Sequence, residues 1–304
     1  MRSFATLASV VLSLAASTRA AFDADVDSTA ESVAAAIVNF QAQNLTPNPV
    51  PSNVFQPIAA LTVTYPQAGI VSVGQKVEKN AVQDQPTWSL NVTSSQASQF
   101  KSKLFSIIVA DPGAPTQNYN GLVVRHCLGN NFTIGSDGVL KNTTALVTRY
   151  FGPAPPAGSG PHRYMHLVVA QPSNFRAPSE LSQPNTPLVT DWNLSDYFKE
   201  ANLGNVVAAS FMIVQEGETN ATTVTTVATP DTASISATAA ALETKFSGTS
   251  GSTTAAPTGS SGSGNSGGNS AAASSFNIGL ISISLGRMFL APTHSTHQLP
   301  SPSL

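Results

Sequence analysis

Four side chains able to bind a ligand or hold a proton stand out from an otherwise apolar background: Asp111, His126, His162 and Tyr164. Asp111 closes the apolar run of IIVADPGAPT (107–116), where Pro112-Gly113-Ala114-Pro115 turns the chain. The two prolines set φ and remove backbone donors, so the loop is stiff enough to hold a carboxylate in place. His126 sits inside the strand-like run VVRHCLGNN (123–131). In YFGPAPPAGSGPHRYMHLVVAQ (150–171), a Pro/Gly loop delivers His162 and Tyr164 to the start of another strand. Together these groups could seat a small anion: His and Tyr donate, and Asp111 either orients an imidazole or meets an amine of the ligand. Each also has an ordinary explanation, since strand histidines are often satisfied core residues and Asp before Pro is common turn chemistry.

Other chemistries fit less well. His126 and the single cysteine, Cys127, are neighbours in a strand and are expected on opposite faces, which separates a thiol from its base. Gly158-Ser159-Gly160 lacks the Gly-x-Ser-x-Gly frame of a nucleophile elbow. His162 and His166 share a face, but four strand residues separate their Cα atoms by about 13 Å, too far for two ligands on one zinc ion. No metal, cofactor or catalytic residue is therefore expected, and the chain is read as a binding protein rather than an enzyme.

The elements that must position these groups are mostly strands. Leu61, Val63 and Tyr65 alternate with Thr62 and Thr64. Further strand-like runs fall at 70–77, 104–110, 121–128, 146–151, 163–170 and 206–214, with turn-forming residues between several of them. Ser28-Thr29-Ala30-Glu31 fits a capping box, and Val33, Ile37 and Phe40 follow at helical spacing. A late helix is expected over 195–201, capped by Ser195. Neither a repeat nor strict strand–helix alternation is present, so the fold class is mainly β with peripheral helices.

Composition bounds the partners. Only 10% of the 304 residues are charged, against roughly 25% in a typical soluble domain. Residues 21–246 hold 11 Lys and Arg against 16 Asp and Glu, a net −5, and show no basic patch for nucleic acid or anionic lipid. A lone cysteine allows no internal disulfide.

The ends read as addressing. Residues 1–20 follow the order of a secretory signal: Arg2, the apolar run Phe4–Ala16, then Thr18-Arg19-Ala20. Six Asn-x-Ser/Thr triplets, at Asn44, Asn91, Asn131, Asn142, Asn193 and Asn220, are glycosylation candidates consistent with export. Residues 21–246 form the expected single domain, large enough to bury roughly 70% of its unfolded surface. Residues 247–275 form a Ser/Gly-rich stalk, and 276–304 carry an apolar tail with a polar extension. Asn265-Ser266-Gly267, a spacer and that tail match a glycosylphosphatidylinositol (GPI) anchor signal, while Arg287 and the polar extension run against it. The expected location is secreted, with attachment to the cell surface or wall through such an anchor as the sole membrane contact.

The wording and order of DPGAPT, RHCLGNN and YFGPAPPAGSGPHRYMHLVVAQP resemble the signature of the phosphatidylethanolamine-binding protein family, which includes Raf kinase inhibitor and carboxypeptidase inhibitor members. The third segment is the specific one. Every fixed position of Tyr-x-Gly-Pro-x-Pro-Pro-x-Gly-x-Gly-x-His-Arg-Tyr is present from Tyr150 to Tyr164. Residues 61–65, 85–88 and 211–215 add weaker support, so the resemblance covers about residues 45–216. It implies a large central antiparallel sheet packed on a smaller one, with a pocket near one end for a phosphoryl headgroup or small anion. Carried over residue by residue, Asp111 is the pocket carboxylate, Ala114 and Pro115 its wall, His126 a ring-nitrogen donor, and Phe151, Gly152, His162 and Tyr164 the remaining lining. The resemblance also implies an alternative function, a protein-interaction module that inhibits a serine-type peptidase. Two departures stand out: Gly113 replaces the family's second Asp, which predicts a looser loop, and residues 124–127 lack the aromatics that often surround the pocket His.

Overall fold

In the computed structural model, residues 26–115, 120–184, 186–217 and 230–248 are described. The expected signal peptide, the tail, all but the first two stalk residues, Thr116 and the Asn220 triplet lie outside them. The order of elements is α1 (Val26–Ala42), β1 (Ala60–Tyr65), β2 (Gly69–Val71), β3 (Gln75–Lys76), β4 (Thr87–Asn91), α2 (Ser94–Lys101), β5 (Leu104–Asp111), β6 (Leu122–Ile134), β7 (Leu140–Asn142), β8 (His162–Gln171), β9 (Val189–Asn193), α3 (Leu194–Glu200), β10 (Val206–Val214) and α4 (Thr232–Gly248).

A three-stranded sheet, β2-β1-β4, stacks on a seven-stranded sheet with the order β3-β10-β8-β5-β6-β7, in which β9 also pairs with β6. All pairings between these strands are antiparallel except β3 with β10. The mainly β class and the large-on-small sheet arrangement are thus present, with one parallel edge. β8 is central and all ten of its residues are buried, because both of its faces are covered. Phe105, Ile107 and Val109 of β5, with Tyr164 and Val168 of β8, meet Val63, Tyr65, Trp88 and Leu90 of the small sheet. The opposite face, with Ile108, Met165, Leu167 and Val169, packs on Phe40, Leu45, Val50 and the α3 residues Tyr197 and Phe198.

Several expectations need correction. α1 begins at Val26, so Ser28 lies inside the helix instead of capping it, although Val33 and Phe40 are buried as their spacing predicts. α3 is capped by Asn193 and not Ser195: the Asn193 side chain accepts the Asp196 amide at 3.1 Å. The run 70–77 is split into β2 and β3 by the turn around Gly74. Residues 146–151 are no strand; their one ladder contact with β6 is the isolated bridge of Thr148 with Leu128, beside the hydrogen bonds of Phe151 to His126. The sequence reading passed over α4, which continues to Gly248, beyond the expected domain limit. Asp231 accepts the Ala233 amide at its start, and Ala239, Leu242 and Phe246 pack on Ala30, Val33 and Ala34 of α1.

Candidate functional site

Strand alternation carries Asp111 to the face of the large sheet that looks toward the small one, where it is 4% exposed. Its Oδ1 accepts the Gly113 amide at 2.7 Å and its Oδ2 accepts His162 Nδ1–H at 2.7 Å. Burial is the main cause, and the neighbouring carboxylate the second, that pushes the Tyr164 phenol well above its ordinary range.

His162 has its other nitrogen occupied as well. Ser159 Oγ–H donates to the Pro156 carbonyl at 2.6 Å, which uses its one proton, so His162 Nε2–H donates to Ser159 Oγ at 2.9 Å. Both ring nitrogens are thus held, Nδ1 by Asp111 and Nε2 by Ser159. The Asp111–His162–Ser159 line has the connectivity of a hydrolytic triad with its proton reversed. A nitrogen that already holds a proton cannot take one from serine.

His126 reaches the same place through a β-bulge. Val109 pairs with Cys127 and Ala110 with Arg125, leaving His126 as the extra residue. Its ring stands edge-on to Tyr164, with centroids 5.1 Å apart, and the His162 and Tyr164 rings lie 6.4 Å apart. The bulge corrects the opposite-faces expectation: Cys127 packs in the same inter-sheet core as Tyr164. Burial pushes the Cys127 thiol up to about 12, so it stays protonated and inert.

The His126 ring is oriented by one partner. Nδ1–H donates to the Phe151 carbonyl at 2.9 Å, while the Phe151 amide donates to the His126 carbonyl at 2.8 Å. A carbonyl can only accept, so the neutral ring carries its lone pair on Nε2. Burial lowers the His126 pKa, partly offset by the Phe151 carbonyl and Asp111, while His162 lowers it further. Nε2 makes no hydrogen bond to the described residues, whereas Asp111 and His162 bond to each other.

The loops are held by residues that motif reading left without a role. Arg163, 4% exposed, donates Nε–H to Gly113 O at 2.9 Å, and its terminal nitrogens donate to Gln43 O at 2.6 Å and Pro112 O at 3.5 Å. The loop is therefore not loose at Gly113, whose φ of +80° suits glycine and whose amide and carbonyl are both bonded. Ala114 is buried behind it and Pro115 half-buried. Phe151 and Gly152 are half-buried. A Cβ on Gly152 would lie 2.8 Å from Gln83 Cα, and Gln83 Nε2 donates to Pro153 O at 2.9 Å. The guanidinium of exposed Arg149 lies 4.1 Å over the Phe151 ring. Arg163 stands inside the matched His-Arg-Tyr string, the one signal that could have singled it out.

His166 belongs to a separate buried chain. Trp88 Nε1–H donates to His166 Nδ1 at 3.0 Å, which places the ring proton on Nε2 toward Tyr65 Oη at 3.2 Å. Tyr65 then donates to Tyr150 at 2.9 Å, and Tyr150 to Val82 O at 3.0 Å. Among the described residues no group of three or more His, Cys, Asp or Glu could hold a metal. Of the glycosylation candidates, Asn44, Asn142 and Asn193 are exposed, whereas Asn91 and Asn131 are half-buried in strands.

A family model described as phosphatidylethanolamine-binding protein matches residues 51–216. The carboxypeptidase Y inhibitor of Saccharomyces cerevisiae is 25% identical over 214 residues, spanning 60% of this chain and 95% of its own. An uncharacterized protein of the same yeast is 23% identical over 197 residues, 59% of this chain and 93% of its own. The solved structure of carboxypeptidase Y inhibitor complexed with the cognate proteinase is 21% identical, covers 60% of this chain and 95% of that one, and has a TM-score of 0.49.

Proposed function

Because this chain belongs to the phosphatidylethanolamine-binding protein family, we propose that it is a non-enzymatic binding protein whose site takes a phosphoryl headgroup or small anion beside His126. One observation carries the reading. Three segments far apart in sequence bring Asp111, His162, Tyr164 and His126 into one contact chain, with the His126 ring set edge-on against the Tyr164 phenol. Asp111 and His162, bonded to each other, set the rigid floor; Phe151, Gly152, Ala114 and Pro115 form the wall. The same proton arrangement that makes His162 a donor speaks against hydrolysis. Export through residues 1–20, glycosylation at the exposed triplets and attachment through the C-terminal tail complete the proposal. Titration of the protein with phosphate or phosphoethanolamine, followed by NMR shifts of the histidine rings, tests it. Shifts centred on His126 support the reading, and none at millimolar ligand would refute it.

A second reading rests on the yeast carboxypeptidase Y inhibitor relative: inhibition of a serine-type peptidase through another surface. Under that reading, a variant at His126 that no longer binds phosphate still inhibits.

A further inference from the structure

The wall of the site carries a cation whose donors are not spent. The guanidinium of Arg149 lies 4.1 Å over the Phe151 ring, and the residue is exposed. Such a contact holds a cation in place without using a hydrogen-bond acceptor. Phe151 is bonded twice to His126, so cation, ring and imidazole form one contiguous run. Among the described residues Arg149 enters no ion pair and no side-chain hydrogen bond. The other cations near this wall are committed: Arg125 donates to Thr148 and Thr186, Arg163 to three carbonyls, and Lys79 pairs with Glu216. Asp111 is 4% exposed and accepts from the Gly113 amide and His162, and the exposed Asp84 accepts from Gln67 at 3.3 Å. Neither carboxylate pairs with Arg149.

We propose, on the footing of the anion-binding function above, that Arg149 is a specificity-determining residue that extends the site to a second anionic group. Phosphoryl ligands that also carry a carboxylate are then preferred to phosphoethanolamine, which still binds through its phosphoryl group. The phosphoryl group lies beside His126, and the carboxylate meets Arg149 across the Phe151 ring. Guanidinium and carboxylate match as two forks, joined by two parallel N–H···O bonds. An ammonium alone gains nothing from a guanidinium of the same charge. Two sources offer this chemistry: a soluble phosphomonoester such as O-phosphoserine, and a lipid headgroup of the glycerophosphoserine kind.

Isothermal titration of the intact protein at neutral pH compares two matched pairs that differ by one carboxylate. The first is O-phosphoserine with phosphoethanolamine, the second glycerophosphoserine with glycerophosphoethanolamine. The carboxylate is expected to tighten binding by about threefold to fivefold, the upper range for an exposed ion pair. That gain should shrink at high salt. A gain in the diester pair assigns the ligand to a lipid headgroup, and a gain confined to the monoester pair assigns it to a soluble metabolite; either supports the proposal. Arg149→Gln, at an exposed position, should bring both ratios close to one. Equal affinities within both pairs, or a carboxylate gain that survives Arg149→Gln, overturns the proposal and leaves the anion site standing. Failure of all four ligands to bind at millimolar concentration overturns the anion reading itself, and this preference with it.

Discussion

His126 and Phe151 hold each other twice: imidazole Nδ1–H on the Phe151 carbonyl at 2.9 Å, and the Phe151 amide on the His126 carbonyl at 2.8 Å. A side chain from the bulged strand and the backbone of a neighbouring loop thereby fix one ring orientation and one tautomer. The wall of the site and its ligand-facing atom are a single unit.

Replacing that unit's ring by one of similar size separates binding from folding. His126→Phe is expected to lose phosphate affinity by at least about tenfold, while leaving the Phe151 carbonyl unpaired costs about 1–3 kcal/mol of stability. Calorimetric titration and urea denaturation measure the two effects. Unchanged phosphate affinity would place the anion elsewhere.

Asp111→Asn replaces the buried carboxylate that accepts from His162 and from the Gly113 amide. Breaking one partner of a buried pair costs about 3 kcal/mol, and urea denaturation at pH 7 should show it. Phosphate binding should weaken too, because the His162–Tyr164 floor loses its anchor.

Stability should fall as the pH drops below about 6.5. Burial holds His166 down to about 3, with His126 a secondary cause, against an ordinary value of 6.5. The native ring stays neutral while the unfolded one takes a proton below 6.5, so the unfolded state gains protons and is favoured as pH drops. The stabilisation is complete above pH 6.5 and is lost toward pH 3, at up to about 1.4 kcal/mol per pH unit from this ring. His126, shifted the same way, adds to the slope. Denaturation midpoints at pH 7, 6, 5 and 4 check this; a flat profile would show His166 to be charged or exposed.

Arg163→Lys keeps the charge but cannot fork to Gly113, Pro112 and Gln43. About 2 kcal/mol of stability should go with the lost bonds, and amide exchange at residues 113 and 114 should quicken before that of β8.

Leu242→Asp sets a charge against Ala30, Val33 and Ala34. Proteolysis within 232–248 should become rapid while phosphate affinity stays within about twofold, since α4 contributes no atom to the site.

Much of this architecture is legible in the residues because local pattern and tertiary need agree. Alternation in 61–65 and the apolar runs at 104–110, 163–170 and 206–214 give β1, β5, β8 and β10, and the Tyr150–Tyr164 string points to the site. What escaped depends on contacts distant in sequence. Thr148 and its neighbours look like a strand, yet Thr148 pairs only through isolated bridges to Leu128 and Thr186. α4 carries Ile235, Ala239, Leu242 and Phe246 at helical spacing, but its Ala/Ser/Thr background merges with the stalk that follows. Arg163 looked like a matched motif position; its work is to gather carbonyls from α1's end and the Asp111 loop. No pattern announces the direction of the protons in His162 and His126, since these depend on the Asp111 carboxylate and the Phe151 carbonyl, supplied by other segments.

The packing of α4 on α1 has a mechanical consequence. Tension arriving through the chain beyond Gly248 reaches α4 before it reaches any strand, and α4 grips the protein chiefly along a short seam of alanines, Val33 and two larger side chains. Under such load that seam is expected to part first. The seven-stranded sheet and the candidate site, loaded only afterwards, would then keep their packing.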